Sequence, residues 1–188
     1  DDTVRVGCTK TLKVLGVVPS SVTFTSIYPG AQGQYNAYLS CPSGCTTTNV
    51  TPAVGAPAYV DYKICGSPTA SACGYTATCD TVRVYFYPAL TVTVSPNPGS
   101  YCPSSAGVTL TSSVSGGVGA YSYIWQRSST TIGNGSSVFA NATGNYTLTV
   151  NDGLAGSCPA STITVPVNAA NVTASISSTN INCNGAHN

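Results

Sequence analysis

The stretch "GGVGAYSYIWQR", residues 116–127, decides the fold that the sequence predicts. A glycine-rich turn leads into strict alternation, so Tyr121, Tyr123 and Trp125 share one face of a strand. An exposed aromatic face of this kind is also typical of sugar-binding sites. The third strand of a β-sandwich, however, usually carries a core tryptophan. We therefore expect Trp125 to be buried and this stretch to be a central strand of a sandwich.

The segments on either side supply the other strands of the same module. They alternate apolar with polar residues between turn residues, and they read "LTVTVSP" (90–96), "GVTLTSSV" (107–114), "SSVFA" (136–140), "GNYTLTVNDG" (144–153) and "STITVPV" (161–167). Along the fourth of these, Tyr146, Leu148 and Val150 share the face that we expect to be buried. Tyr146 is also expected to be a corner tyrosine, whose hydroxyl ties down a loop.

The composition points to an all-β chain. Of the 188 residues, 42% are apolar and 6% are charged, and the strong helix formers methionine and glutamate do not occur. A net charge of +1 gives no basic surface for nucleic acid. No apolar run approaches the roughly 20 residues that span a bilayer. We therefore expect neither nucleic-acid binding nor membrane insertion.

A repeat divides the chain. The pattern that follows Cys79 recurs after Cys158, 79 residues later, and the pattern that leads to Cys102 recurs before Cys183, 81 residues later. This period is the size of one small β-domain. The sequence therefore predicts a first module over 1–89, a second over 90–168, and the first strand and opening cysteine of a third repeat over 169–188. Cys183 is then unpaired within these residues.

The first module repeats the plan with different side chains. Its expected strands are "TKTLKVLG" (9–16), "SVTFTSIYP" (21–29), "AYVDYKIC" (58–65) and "TVRVYFYP" (81–88). In this matching Phe24 takes the place of Trp125 as the core aromatic residue. Tyr59 takes the place of Tyr146.

Nine cysteines beside a single histidine favour disulfides over metal sites, and hence an oxidising, extracytoplasmic compartment. The matching of the two modules equates Cys8 with Cys102 and Cys79 with Cys158. We therefore expect a Cys8–Cys79 bond in the first module and a Cys102–Cys158 bond in the second.

The four remaining cysteines of the first module are paired by locality. Cys41 and Cys45 bracket a turn, and Cys65 and Cys73 bracket the tip of a loop, so we expect these two bonds. Six cysteines permit fifteen connectivities, and Cys65–Cys79 is the main rival. A four-thiolate zinc site would need the set Cys41, Cys45, Cys73 and Cys79. We disfavour it because two cysteines of the same module would be left over.

Catalytic chemistry finds little support. The only histidine, His187, lies next to the last residue, and the five acidic residues are scattered as Asp1, Asp2, Asp61, Asp80 and Asp152. Neither a nucleophilic triad nor a carboxylate pair is indicated. We therefore predict no enzyme, no catalytic residue, no metal site and no cofactor.

Four segments, in order, carry a family resemblance: "GGVGAYSYIW", "ATGNYTLTVND", "GSCPASTITVPV" and "INCNG". Residues 90–188 resemble the tandem immunoglobulin-like or PKD-like repeats of giant Bacteroidetes surface adhesins, including the gliding-motility adhesin type. The first module fits more loosely, as a related immunoglobulin-like domain. Two departures occur, since Pro-Ser-Ser follows Cys102 in place of Asn-Gly, and "DGLAGSC" is longer than the usual turn. The predicted fold class is all-β, with tandem immunoglobulin-like β-sandwich modules stapled by disulfides.

The resemblance implies a location and a set of partners. It implies export by the type IX route, contact with the outer-membrane secretion and anchoring machinery, and an extracellular place at the cell surface. It also implies a glycoprotein, because such proteins are O-glycosylated at Asp-Ser/Thr-aliphatic sites. The triplets "DTV" at 2–4 and 80–82 make Thr3 and Thr81 the candidate acceptors.

Three functions follow as hypotheses. The first is a structural segment, a stalk or filament of repeats, that serves adhesion or gliding motility and has neighbouring repeats of the same chain as its partners. The second is a glycan-binding module for surface glycans or other cells, with Arg83, Tyr85 and Tyr87 on the outer face of a strand. The third is a filament subunit that exchanges strands with its neighbour.

Overall fold

The computed structural model describes residues 1–69, 77–154, 158–170 and 175–177, and it confirms the all-β prediction. Fourteen strands and two short 3-10 turns make up its regular structure. None of the described segments contains a helix long and apolar enough to cross a membrane. Strands β1–β6 form what we call the first module, and β7–β14 form the second.

The first module has a four-stranded sheet in the order β1-β6-β5-β3 and a two-stranded sheet of β2 and β4. Its strands are β1 (Asp2–Arg5), β2 (Lys10–Lys13), β3 (Thr23–Tyr28), β4 (Thr47–Val50), β5 (Tyr59–Gly66) and β6 (Thr78–Tyr87). The 3-10 turns are Pro19–Ser21 and Asn36–Tyr38. Apolar side chains of both sheets join in one core around Phe24, which is completely buried as the sequence predicts.

The second module has a five-stranded sheet in the order β11-β10-β13-β14-β8 and a three-stranded sheet in the order β12-β9-β7. Its strands are β7 (Thr91–Ser95), β8 (Gly99–Tyr101), β9 (Val108–Ser115), β10 (Ser122–Arg127), β11 (Thr130–Gly133), β12 (Ser137–Ala140), β13 (Gly144–Asn151) and β14 (Ser161–Ala169). The sequence did not predict β8 and β11, nor β1 and β4 of the first module, because strands this short show little alternation.

Two aromatic residues of the second module behave as predicted. Trp125 is fully buried between the sheets, and its indole N–H donates to the Gly135 carbonyl oxygen at 3.0 Å. Tyr146 is buried, and its hydroxyl donates to the Ala142 carbonyl oxygen at 3.0 Å, four residues upstream. That bond fixes the turn before β13, which is the role of a corner tyrosine.

The match of Tyr59 to Tyr146 is wrong. Tyr59 lies on the outer face of β5, whereas Tyr62 is fully buried on the face that it shares with Val60. The Tyr62 hydroxyl donates to the Tyr35 carbonyl oxygen at 3.4 Å. The strand period of two residues places position 62, and not 59, in the core.

Both modules contain an edge strand that runs parallel to the last strand. Strand β1 pairs with β6, with Arg5 opposite Tyr87, and β8 pairs with β14, with Tyr101 opposite Ala169. The other paired strands are antiparallel. The end of each parallel edge strand therefore lies where the chain leaves that module.

Three disulfides join cysteines that the structure describes, and two of them correct the expected pairing. Cys41 bonds to Cys45, as expected from their spacing. Cys65 bonds to Cys79 and not to Cys73, because Cys65 and Cys79 are directly opposite on β5 and β6, with Cα atoms 4.1 Å apart. Cys73 lies outside the described residues.

Cys8 bonds to Cys158, so the predicted Cys8–Cys79 and Cys102–Cys158 bonds are both wrong. Cys8 follows β1 beside the last residue of β6, while Cys79 is near the first, roughly 26 Å away at the rise of a strand. Cys102 and Cys158 likewise lie at opposite ends of β14. Bridged cysteines need Cα atoms within about 7 Å. Cys102 is exposed and has no disulfide partner among the cysteines that the structure describes, and Cys183 lies outside the described residues.

Candidate functional site

The strongest candidate site is the joint between the two modules, and Arg5 is its central residue. Arg5 is the last residue of β1 and is only 4% exposed. Its guanidinium donates through Nη1 to Asp152 Oδ2 at 2.9 Å and through Nη2 to the carbonyl oxygen of Pro159. Its Nε lies 3.3 Å from Cys8 Sγ. One side chain of the first module is thus bound to two residues of the second.

Asp152 is the counter-ion of Arg5 and is equally buried. It follows β13 and is 4% exposed. Its carboxylate also accepts backbone N–H bonds from Leu154 at 3.0 Å and from Val118 at 3.3 Å. A buried ion pair is tolerated when both partners are hydrogen-bonded in this way. The pair therefore fixes Asp152, directly after β13, against the end of β1.

The Cys8–Cys158 disulfide closes the same joint covalently. It connects the residue three places after Arg5 to the loop before β14, with Cα atoms 5.5 Å apart. Both cysteines are buried, at 5% and 8% exposure. The two modules thus share a covalent bond and a buried ion pair in addition to the chain that connects β6 to β7.

That connection is short and tightly packed. Only Pro88, Ala89 and Leu90 separate the two strands, and the Gly117 N–H donates to the Pro88 carbonyl oxygen at 3.0 Å. Gly117 has φ +66°, and a Cβ there would lie 2.4 Å from Asp152 Oδ2. Only glycine fits this backbone and this distance. The "GG" of the turn at 116–117 is therefore part of the joint.

A second candidate site is the outer face of the first module's larger sheet. Tyr28 stacks on Tyr59 with ring centroids 5.6 Å apart, and Tyr59 lies 6.0 Å from Tyr85. The Arg83 guanidinium lies 4.0 Å above the Tyr59 ring and donates to both oxygens of Asp61, at 2.7 and 2.8 Å. We call these five residues the tyrosine face.

The electrostatics of this face follow from those contacts. Hydrogen bonds from Arg83 hold the pKa of the Asp61 carboxyl below its ordinary value. A hydrogen bond between Tyr28 and Tyr59 raises the pKa of Tyr59. Tyr59 is therefore neutral at physiological pH, and the face presents aromatic rings and a paired charge.

The structure brings most of the predicted surface residues onto this one face. Arg83 and Tyr85 belong to the tyrosine face, and Tyr87 is at the end of the same side of β6, 37% exposed. Thr81 is exposed on that side, and Thr3 pairs with Tyr85 across β1 and β6. The two predicted glycosylation sites and the three predicted glycan contacts thus share one sheet surface.

Sequence reasoning missed the joint. Arg5 and Asp152 are 147 residues apart, and no local pattern links them. Part of the tyrosine face can be predicted from the sequence, because alternation in "YVDY" places Tyr59 and Asp61 on one side of β5. Among the described residues no cluster of His, Cys, Asp or Glu side chains could hold a metal ion.

Comparison with known proteins adds only the fold. The chain matches no family model and no curated protein. It is similar to a solved structure of the eight N-terminal Ig domains of Down Syndrome Cell Adhesion Molecule isoform 1.30.30, with TM-score 0.55 and 14% identity. That match covers 89% of this chain and 26% of the other.

Two further solved structures give a similar picture. A C-terminal 282-residue fragment of intimin, in complex with the intimin-binding domain of the translocated intimin receptor, matches with TM-score 0.51 and 16% identity. That match covers 85% of this chain and 57% of the fragment. Extracellular domains 3–5 of Drosophila OTK match with TM-score 0.51 and 10% identity, over 90% of this chain and 59% of theirs. The chain thus spans well under two thirds of each, and its fold is that of tandem immunoglobulin-like β-sandwiches stapled by disulfides.

Proposed function

We propose that this chain is a rigid structural segment, a piece of stalk or filament, of a secreted bacterial cell-surface adhesin that serves adhesion or gliding motility. The observation that carries the proposal is the joint, where a disulfide and a buried ion pair connect two modules that a short linker already connects. A protein that only needs to tether a distal site does not require a disulfide and a buried ion pair between its modules. A protein that must hold the site at a fixed distance and angle does.

The finer parts of the proposal rest on the sequence resemblance. These are export by the type IX route, attachment through outer-membrane machinery, neighbouring repeats as partners, and O-glycosylation at Thr3 and Thr81. Three disulfides fit the oxidising compartment that this route implies. Intact-mass measurement of protein purified from its native host would show sugar increments that Thr3→Ala and Thr81→Ala remove.

Small-angle X-ray scattering tests the rigid-segment proposal. We expect the unaltered chain to fit one fixed arrangement of the modules. The pair Cys8→Ser with Cys158→Ser should broaden its interatomic distance distribution, and adding Arg5→Ala should broaden it further. The matched control is Cys65→Ser with Cys79→Ser, which removes a disulfide inside the first module and should leave the distribution unchanged. An unaltered chain that already requires an ensemble of arrangements would contradict the proposal.

Glycan binding is the second candidate, and the tyrosine face is the observation that favours it. Stacked aromatic rings beside a fixed Arg83–Asp61 pair offer apolar surface and hydrogen-bonding groups to a sugar ring. On a glycan array, a bound sugar should lose about fivefold in affinity with Tyr85→Ala, since a stacked ring contributes about 1 kcal/mol. Phe139→Ala is the control, because Phe139 is an exposed aromatic residue of the second module. Equal loss in both variants would contradict a site on this face.

A further inference from the structure

We propose that Cys102 is one half of a second inter-module disulfide, whose other half is a cysteine in the loop between the last two strands of a following β-sandwich. The proposal deepens the serial, rigid segment proposed above and rests on it. It assigns an interaction surface, the end of the second module where β8 and β14 finish, and a partner of defined chemistry.

The position of Cys102 repeats that of Cys8. Cys8 comes three residues after β1, the edge strand parallel to β6, and Cys102 comes directly after β8, the edge strand parallel to β14. The Ala170 N–H donates to the Tyr101 carbonyl oxygen at 2.8 Å, which ties the end of β8 to the departing chain. Both cysteines therefore lie where the next part of the chain begins.

The disulfide of Cys8 shows which part of the next module a cysteine after the parallel edge strand can bond to. It crosses the joint to Cys158, in the loop between the last two strands of the next module. Cys8 is bonded and buried, whereas Cys102 is exposed and has no disulfide partner within the described part of the chain. Cys158 is about 26 Å from Cys102 within the second module and already bonded, so the partner of Cys102 must come from elsewhere.

The ion pair of the joint is not repeated. The buried positions Val4 and Gly99 correspond, since they pair with Phe86 and Val167 on the core side of the last strands. The residue after each is Arg5 in the first module and Ser100 in the second. The surface at Cys102 therefore offers a thiol without a neighbouring guanidinium. A suitable partner loop carries a cysteine and needs no buried carboxylate.

Bond formation requires an oxidant of the disulfide class. The two thiols lose two protons and two electrons as their S–S bond forms, and the S–S bond of the oxidant is cleaved to two thiols. An oxidised thiol–disulfide oxidoreductase supplies this in the cell, and glutathione disulfide supplies it in the test tube.

The test uses the full chain and a lengthened form of it. In the lengthened form, residues 90–188 follow Ala170, so that a second copy of the second module supplies the partner loop. The second copy carries Cys102→Ser, so that one Cys102 remains, and Thr162→Ser as a mass label next to its own Cys158. Both proteins are refolded with glutathione disulfide, treated with N-ethylmaleimide, and mapped as peptic peptides without reduction.

We expect Cys102 of the 188-residue chain to be modified by N-ethylmaleimide, and that of the lengthened chain to be bonded to the labelled Cys158. A second version also carries Ser100→Arg in the first copy. Asp152 of the second copy then has an arginine partner, as Asp152 has in Arg5 at the natural joint. If Cys102 stays reactive in both versions while Cys8 is bonded to Cys158, this inference is wrong and the rigid segment stands. A bond from Cys102 to Cys73 or Cys183 in the 188-residue chain also overturns it. Loss of the Cys8–Cys158 bond itself would instead overturn the proposed function.

Discussion

Two arginine–aspartate pairs in this molecule have similar N···O distances and different surroundings. Arg5 and Asp152 meet at 2.9 Å with side chains 5% and 1% exposed, across the joint. Arg83 and Asp61 meet at 2.7 Å with side chains 37% and 15% exposed, on the tyrosine face. Charges removed from water depend on each other far more than charges that water still reaches. The comparison teaches that burial, and not distance, decides which pair holds the structure together.

Removal of Arg5 should have the largest effect. Arg5→Ala leaves the Asp152 carboxylate buried without a counter-charge, and such a loss typically costs about 3–5 kcal/mol. We expect that decrease in the free energy of unfolding by denaturant titration with disulfides intact. The double variant with Asp152→Asn should recover part of the loss, because no charge is then left unpaired. An Arg5→Ala chain as stable as the unaltered one would contradict the importance of burial.

Crowding the buried pair should have an intermediate effect. Gly117→Ala places a Cβ 2.4 Å from Asp152 Oδ2 at a backbone φ of +66°, so both the carboxylate and the turn must shift. We expect about 1–3 kcal/mol of destabilisation, as for other strained backbone positions. Gly119→Ala is the matched control, with a similar φ of +79° and open space around the added methyl group. If both substitutions cost the same, backbone strain alone explains the loss.

Acidification should have the smallest effect of the three changes on the free energy of unfolding, because it weakens only the more exposed Arg83–Asp61 pair. Arg83 lowers the pKa of Asp61 in the folded state, so this pair stabilises the fold above the ordinary carboxyl pKa of about 3.9. That contribution is lost as the pH falls through the lower, folded-state value. In urea titrations at pH 7 and pH 3, the difference between the unaltered chain and Asp61→Asn should therefore shrink at pH 3. A difference that grows on acidification would reverse the assigned sign.

The sequence predicted what depends on neighbouring residues. Alternation placed Trp125, Tyr146 and Phe24 in the cores, because a strand buries every second side chain whatever lies far along the chain. The same rule, started at the wrong residue, predicts Tyr59 in the core of the first module, where the structure has Tyr62. The outward residues Arg83 and Tyr85 were likewise found from alternation.

The joint could not be predicted in this way. The matching of repeats assumes that each module closes its own disulfide, and it therefore predicts a partner for Cys8 at the far end of β6. The observed bond joins residues 150 positions apart, and it depends on where two folded modules meet. Only the direction of β1, parallel to β6, reveals which end of the module Cys8 occupies.

The Cys8–Cys158 bond also changes how the chain carries a mechanical load. Tension applied between Asp1 and Ala170 passes through the first eight residues, crosses the disulfide, and continues along β14, so the 150-residue span between the two cysteines bears almost none of it. At about 3.4 Å per residue, roughly 500 Å of hidden length stays folded until that bond is reduced. Under force the two modules would behave as a short, stiff link, and reduction would turn them into an extensible one.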